Sequence, residues 1–217
     1  MSLALFDLDN TLLAGDSDYA WGEFLIAEGL VDGPLYRREN DRYFAQYQAG
    51  TLDIMQFLAF ALRPLAENDA ARLESLRTRF VETRILPLIA PKARALVDKH
   101  RAGGDRLAIV TSTNSFVTAP IARALGIADL LATEPEMIDG RYTGRVAGVP
   151  CFREGKVTRV DEWLARERLN WSGSWCYSDS HNDVPLLERA THPVAVDPDE
   201  RLRAIARARG WEIISLR

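Results

Sequence analysis

A doubly wound, mainly parallel α/β sheet with an inserted helical block is the architecture this sequence predicts, on three observations. Residues 3–13, LALFDLDNTLL, read as a buried strand that ends on two aspartates one residue apart. From Leu107 onward, short apolar runs alternate with helical periodicity, the pattern of strands joined by crossover helices. Between these stretches, residues 14–86 show helical spacing and no clear strand.

The first strand delivers Asp7 and Asp9 to its carboxyl end, where parallel sheets place their ligand sites. Alternation along the strand sends both side chains to one side. Two like charges so close repel, and a bound divalent cation is one reason to keep them. A solvated acidic turn is the plainer alternative. The helical block follows, with apolar spacing over 16–30, 32–49, 52–62 and 68–84, punctuated by Gly29, Gly33-Pro34, Gly50 and Pro64. Its Trp21, Phe24, Leu25, Phe44, Tyr47, Phe57, Leu58 and Phe60 predict a small aromatic core of its own. Thereafter the elements are a helix over 91–102, a strand over 107–111, a helix over 115–125 stopped by Gly126, and a strand over 129–133. A hairpin turning at Asp139-Gly140 comes next. A helix over 155–168, a strand over 174–178, a helix over 183–190 and strands over 193–196 and 211–215 complete the chain. The division expected is a core of residues 1–13 and 87–217 with a cap of residues 14–86.

Composition narrows the function. The chain has 217 residues, 47% hydrophobic and 27% charged, ordinary for a globular protein with one core and an elaboration. A net charge of −4 offers no basic surface to nucleic acid or to an anionic membrane. Basic residues are lopsided, 24 arginines against Lys92, Lys99 and Lys156. Cys151 and Cys176 form no CxxC pair, which points to free buried thiols rather than zinc or a disulfide. His100, His181 and His192 do not cluster. No apolar run approaches the roughly 20 residues of a membrane helix, and the first strand starts almost at Met1. The expected location is the cytoplasm.

Four pieces fall at strand ends or helix starts: Asp7-x-Asp9, Thr111 after LAIV, Lys156 after Gly155, and Asp179 to Asp183 after SWCYS. Singly, each has an ordinary reading as an N-cap, a turn residue or a solvated lysine. Together, Asp7-Leu8-Asp9-Asn10-Thr11, the strand ending in Thr111, Gly155-Lys156 and Ser178-Asp179-Ser180-His181-Asn182-Asp183 resemble the four motifs of the haloacid dehalogenase superfamily. The insertion after the first motif is similar to the cap of its phosphoserine-phosphatase-like branch.

The resemblance implies a Rossmann-like core and hydrolysis of a small phosphate monoester. It makes Asp7 the nucleophile, giving an aspartyl-phosphate, and Asp9 the general acid and base. Mg²⁺ would be held by Asp7, Asp179 and the carbonyl of Asp9, with Asp183 at the metal's edge. Thr111 and Ser112 would meet the phosphoryl group, Lys156 would neutralise it, and Asn182 would lie close by. A phosphoserine phosphatase or a phosphotransferase of the same superfamily, and a non-catalytic phosphometabolite-binding protein, are the alternatives.

Asp16 lies where the branch reads a substrate ammonium, though as an N-cap it has an ordinary role as well. The arginines that would read a carboxylate fall instead at Ala59 and Ala61, with Arg63 on another helix face. Asp16, Asp18 and Glu23, interleaved with Tyr19, Trp21 and Phe24, therefore suggest an amino alcohol phosphate such as histidinol phosphate rather than phosphoserine.

Overall fold

The computed structural model describes residues 2–217, framed by one seven-stranded sheet. Its strands are β1 (Leu3–Phe6), β2 (Arg106–Asn114), β3 (Asp129–Ile138), β4 (Arg141–Ala147), β5 (Trp175–Ser178), β6 (His192–Val196) and β7 (Glu212–Ile214). They lie in the order β4-β3-β2-β1-β5-β6-β7. All pairs are parallel except β3 with β4, the predicted hairpin. Its turn residues Asp139 and Gly140 take φ of 50° and 76°, the double positive φ that such a tight turn demands. The winding reverses at β1, which sits between β2 and β5, so the first motif occupies the switch point of the sheet.

Between β1 and β2 stand α1 (Ser17–Ala27), α2 (Gly33–Ala49), α3 (Ile54–Ala61), α4 (Arg63–Glu67) and α5 (Ala70–Phe80). Asp16, Asp32, Asp53 and Asp69 each cap one of α1, α2, α3 and α5, a side-chain oxygen accepting first-turn N–H groups. The two ends of the insertion meet, with Leu13 bridged to Ile89 and Ala14 N–H donating to the Leu88 carbonyl at 2.8 Å. The remaining helices are α6 (Pro91–Ala102), α7 (Ser115–Ala124), α8 (Glu154–Glu167), α9 (Val184–Leu187) and α10 (Glu200–Arg209).

Alternation along β1 sends Ala4 and Phe6 to one face of the sheet and Leu3 and Leu5 to the other. The first face is covered by α6 and α7, and its core runs on into the insertion through Trp21, Leu25, Leu73 and Phe80. The second is covered by α8, α9 and α10 through Val160, Trp163, Leu186, Leu187, Leu202 and Ala206. A sheet buried on both faces explains why its strands read as apolar runs.

The structure departs from the sequence expectations in definite ways. Trp21, Phe24, Leu25 and Leu58 join the main core rather than a separate one, and Tyr43, Leu52 and Phe152 form a second cluster with Tyr47, Phe57 and Phe60 beside it. Pro64 opens α4 instead of marking a loop, since proline suits a helix's first turn. The helix expected over 68–84 ends at Phe80 and gives way to a wider turn, Val81–Ile85. Helix α10 was not expected, although Asp199 caps its start and Gly210, at φ 67°, ends it. The helix expected over 183–190 is a tight turn, His181–Asp183, followed by the four residues of α9.

Trp21 is the keystone between insertion and sheet. It is 2% exposed and packs its ring against Phe24, Phe80 and Phe116 at centroid distances of 5.7, 5.1 and 5.8 Å. Trp21→Ala is expected to lower the free energy of unfolding by about 3–5 kcal/mol in urea titration. A loss below about 1 kcal/mol would show that the two parts do not share a core.

Candidate active site

Asp7 leaves β1 with its N–H donated to the Tyr177 carbonyl of β5 at 2.9 Å, so its place is set by the sheet. The chain then loops through a wide turn over Leu8–Leu12, closed by Leu13 N–H to the Leu8 carbonyl at 3.0 Å. Asn10 takes φ 56° inside it, a conformation asparagine tolerates better than most side chains. Lys156 reaches Asp7 from the start of α8, its Nζ donating to Asp7 Oδ1 at 2.8 Å and to Asp183 Oδ2 at 2.7 Å. The preceding Gly155 is required by space, because a Cβ there would sit 2.1 Å from the Pro150 carbonyl oxygen.

Asp7 and Asp179 are joined through Thr11, whose Oγ1 lies 3.2 Å from Asp7 Oδ2 and 3.0 Å from Asp179 Oδ1. Asp9 is held apart, with Oδ1 accepting from Ser17 N–H at 2.6 Å and Oδ2 from the Thr113 hydroxyl at 2.7 Å. Thr111 Oγ1 accepts Thr113 N–H at 3.2 Å, which leaves the Thr111 proton to donate. Ser178 Oγ donates to Asp183 Oδ2 at 2.7 Å and so braces the carboxylate behind Lys156.

Burial sets the electrostatics. Asp7 is pushed up to about 7, foremost by burial, with Lys156 pulling it down and Asp183 raising it further. Asp9 is also pushed up to about 7, by burial and then by Asp16, against the hydrogen bonds of Ser17 and Thr113. Burial raises Asp179 well above the carboxylate range, with Asp7 and Asp183 adding to it. Burial opposes the charge on Lys156, yet Asp183 and Asp7 hold its ammonium well above the ordinary lysine value.

The site opens into a cavity between the sheet and the insertion. Asp7, Asp9, Thr111, Ser112 and Thr113 form its floor. The insertion supplies Asp16, Asp18, Tyr19, Asn40, Tyr43, Phe44, Tyr47 and Phe57 as walls, with Phe152 beside them. No Lys, Arg or His is among the described lining residues. Arg63 pairs on the surface with Glu67 at 3.7 Å, away from the cavity.

Not every expected residue meets the site as the sequence suggested. Asn182 is buried, and its amide is fully engaged. Its Nδ2 donates to the Tyr47 carbonyl at 3.2 Å and to Ser180 Oγ at 3.3 Å, and its Oδ1 accepts from Arg153 Nε at 3.1 Å. It fastens α2 rather than facing the cavity. Arg153 Nη2 to the Gly50 carbonyl at 2.5 Å and Arg201 Nη1 to the Ala49 carbonyl at 2.7 Å complete that fastening. Glu23 pairs with Arg37 outside the cavity, and Trp21 and Phe24 are in the core. Asp16 lines the cavity, but its Oδ1 already accepts the N–H groups of Asp18 and Tyr19 at 3.0 and 2.8 Å. His181 Nδ1 donates to Asp199 Oδ2 at 2.8 Å rather than to any aspartate of the motifs. Sequence reasoning assigned no role to Thr11 or Thr113. Thr113 was legible, because it stands two residues beyond Thr111 on the same strand face.

Among the described residues no three His, Cys, Asp or Glu side chains converge as a protein-only metal cage. The carboxylates of Asp9 and Asp183 accept from the Thr113 hydroxyl and from Lys156. What remains fits a hard cation that keeps water. Asp7 and Asp179 adjoin through Thr11, and the neighbouring backbone N–H groups turn away from the Asp9 carbonyl, Leu13 to Leu8 and Ala14 to Leu88. Asp7 and Asp183 share one buried ammonium and Asp179 pairs with no cation among the described residues, so a further positive charge would be favourable.

A parallel sheet with paired aspartates at its switch point, a lysine behind them and a third acidic loop beside them defines a class of hydrolase. Residues 4–188 match the haloacid dehalogenase-like hydrolase family, and the chain belongs to it. It is a phosphatase of that family. It is 42% identical over 220 residues to a histidinol-phosphatase of Neisseria meningitidis serogroup C (strain 8013), covering 100% of this chain and 99% of that protein. It is 35% identical to phosphoserine phosphatase SerB1 of Mycobacterium tuberculosis (strain H37Rv), covering 99% of this chain and 70% of that protein. A crystal structure of a Bordetella pertussis Tohama I protein of unknown function superposes with a TM-score of 0.94 at 50% identity, over 100% and 99% of the two chains. A phosphoserine phosphatase captured as a phospho-aspartyl intermediate analogue shares the fold, with a TM-score of 0.72 at 19% identity over 100% and 93%.

The raised carboxyls make stability depend on pH. Asp7 and Asp9 titrate near 7 when folded and near 3.8 when unfolded, so between those values the folded chain binds more protons. Their contribution is full below about pH 4 and is lost as pH rises through about 7. Melting temperatures in chelator should fall over this window, and Asp7→Asn or Asp9→Asn should flatten the fall. A profile unchanged by both variants would show that neither carboxyl is raised.

Proposed function

We propose that the chain hydrolyses a small phosphate monoester whose alcohol carries an amine and no carboxylate, with histidinol phosphate the leading candidate. The observation that carries the substrate class is the cavity lining, with four aspartates and no cation. Phosphoserine would bring a carboxylate into that cavity with nothing to pair it, and an unpaired buried charge is expensive. The 42% identity to a protein named histidinol-phosphatase supports the same choice.

In this reading Asp7 attacks phosphorus as the ester P–O bond breaks, and Asp9 gives its proton to the departing alkoxide. Asp9 then takes a proton from water, which attacks phosphorus, releases inorganic phosphate and restores Asp7. A carboxyl titrating near 7 can serve both halves at neutral pH. Thr111 donates its hydroxyl to a phosphoryl oxygen. Lys156, braced by Asp183 and Ser178, lowers the cost of ionising Asp7 and acts on the phosphate as a point charge from behind that carboxylate. Asp7, Asp179 and the Asp9 carbonyl would hold Mg²⁺, which when bound neutralises phosphate charge. Residues 14–86 act as the cap that closes the cavity and excludes water. Buried free thiols at Cys151 and Cys176 suit the reducing cytoplasm, where we place the enzyme.

The test is phosphate release from p-nitrophenyl phosphate, histidinol phosphate, phosphoserine and sugar phosphates, with Mg²⁺ and with EDTA. Metal-dependent turnover that favours histidinol phosphate over phosphoserine is expected, and Asp7→Asn should lower kcat by at least about a thousandfold. Appreciable turnover by Asp7→Asn would remove Asp7 as the nucleophile. A preference for phosphoserine would remove the substrate reading.

A further inference from the structure

We propose that Asp18, two residues beyond the N-cap Asp16 on α1, selects the substrate ammonium. The inference rests on the phosphomonoesterase reading and deepens it by naming the group that reads the end of the substrate remote from phosphorus.

Four carboxylates line the cavity, and three of them accept hydrogen bonds. Asp7 accepts from Lys156 and Thr11, Asp9 from Ser17 and Thr113, and Asp16 from two backbone amides of its own helix. Asp18 differs. Its carboxylate accepts no hydrogen bond and joins no ion pair among the described residues, although it is half-buried in the same cavity. Its charged neighbours there are Asp16 and Asp9, both repulsive. Burial, with Asp16 and Asp9 beside it, pushes this carboxyl well above the usual carboxylate range, and a bound cation would return the free energy that its charge costs there.

The surroundings suit an organic cation. Tyr43 and Phe57, with rings 5.4 Å apart, and Tyr47 offer aromatic faces, which attract an ammonium. Asn40 donates its Nδ2 to the Tyr19 carbonyl at 3.2 Å, which orients the amide and leaves its Oδ1 as a second acceptor. Asp16 is tied as an N-cap, so its loss should be felt first by α1. Asp7 and Asp18 open into one cavity, so a single small molecule can place its phosphate at one and its amine at the other.

The experiment compares histidinol phosphate with 3-(imidazol-4-yl)propyl phosphate, which lacks only the amine, at pH 7.5 in Mg²⁺. The readout is the ratio of the two kcat/KM values. The wild type is expected to favour the amine. Asp18→Asn should reduce that ratio at least about tenfold, chiefly through KM, and Asp18→Glu should keep most of it. Asp18→Ser serves in the same assay if melting shows that the asparagine variant does not fold. A wild-type preference that survives removal of the charge would overturn the assignment to Asp18 while leaving the substrate class standing. No wild-type preference for the amine would overturn the class itself, and Asp18 with it.

Discussion

Everything in this molecule is arranged around one imbalance of charge, three buried carboxylates against a single buried ammonium at the carboxyl end of β1. Lys156 is 1% exposed and is affordable there only because Asp7 and Asp183 both accept from it. Asp179 is left over, bonded to Thr11 and its neighbours but to no cation among the described residues. The sheet bears the strain of holding like charges together. Asp7 is pinned by β5, Thr111 and Thr113 stand on β2, and Asp179 follows β5, so these groups descend from three adjacent strands while Lys156 comes from α8. A site built on strands moves less than one built on loops.

The insertion supplies a different kind of chemistry. Its walls are aromatic and acidic, and it contributes no positive charge to the cavity. In the function proposed, the floor takes the phosphate, common to many substrates, and the walls take whatever carries it. The two parts nevertheless share a core through Trp21, Phe80 and Phe116, so the wall is not free to drift relative to the floor.

Much of this was legible in the residues. The β1 strand, the D-x-D pair, Gly155-Lys156 and the SDSHND loop each carry a local signal, and their order fixes the sheet's switch point. Helix α10 was equally legible, with Asp199 before it and Gly210 after it, and was overlooked. The wide turn over Leu8–Leu12 was not, because its shape follows from Asn10 and from bonds to Gly15 and Leu88 that no spacing announces. Asn182 could not be placed either. Its partners, Tyr47 and Arg153, are 135 and 29 residues away, and only the folded chain brings them to its amide.

That meeting has an evolutionary consequence. Asn182, Arg153 and Arg201 grip the carbonyls of Tyr47, Gly50 and Ala49, which are main-chain atoms present whatever residue stands there. They also satisfy the unpaired end of α2, where a helix exposes its partial negative charge. The side chain at position 47, by contrast, looks into the cavity. Docking and recognition thus use different atoms of the same segment. The wall can be rewritten by substitution while the seat of the helix stays as it is, so the lining and its anchorage can change independently.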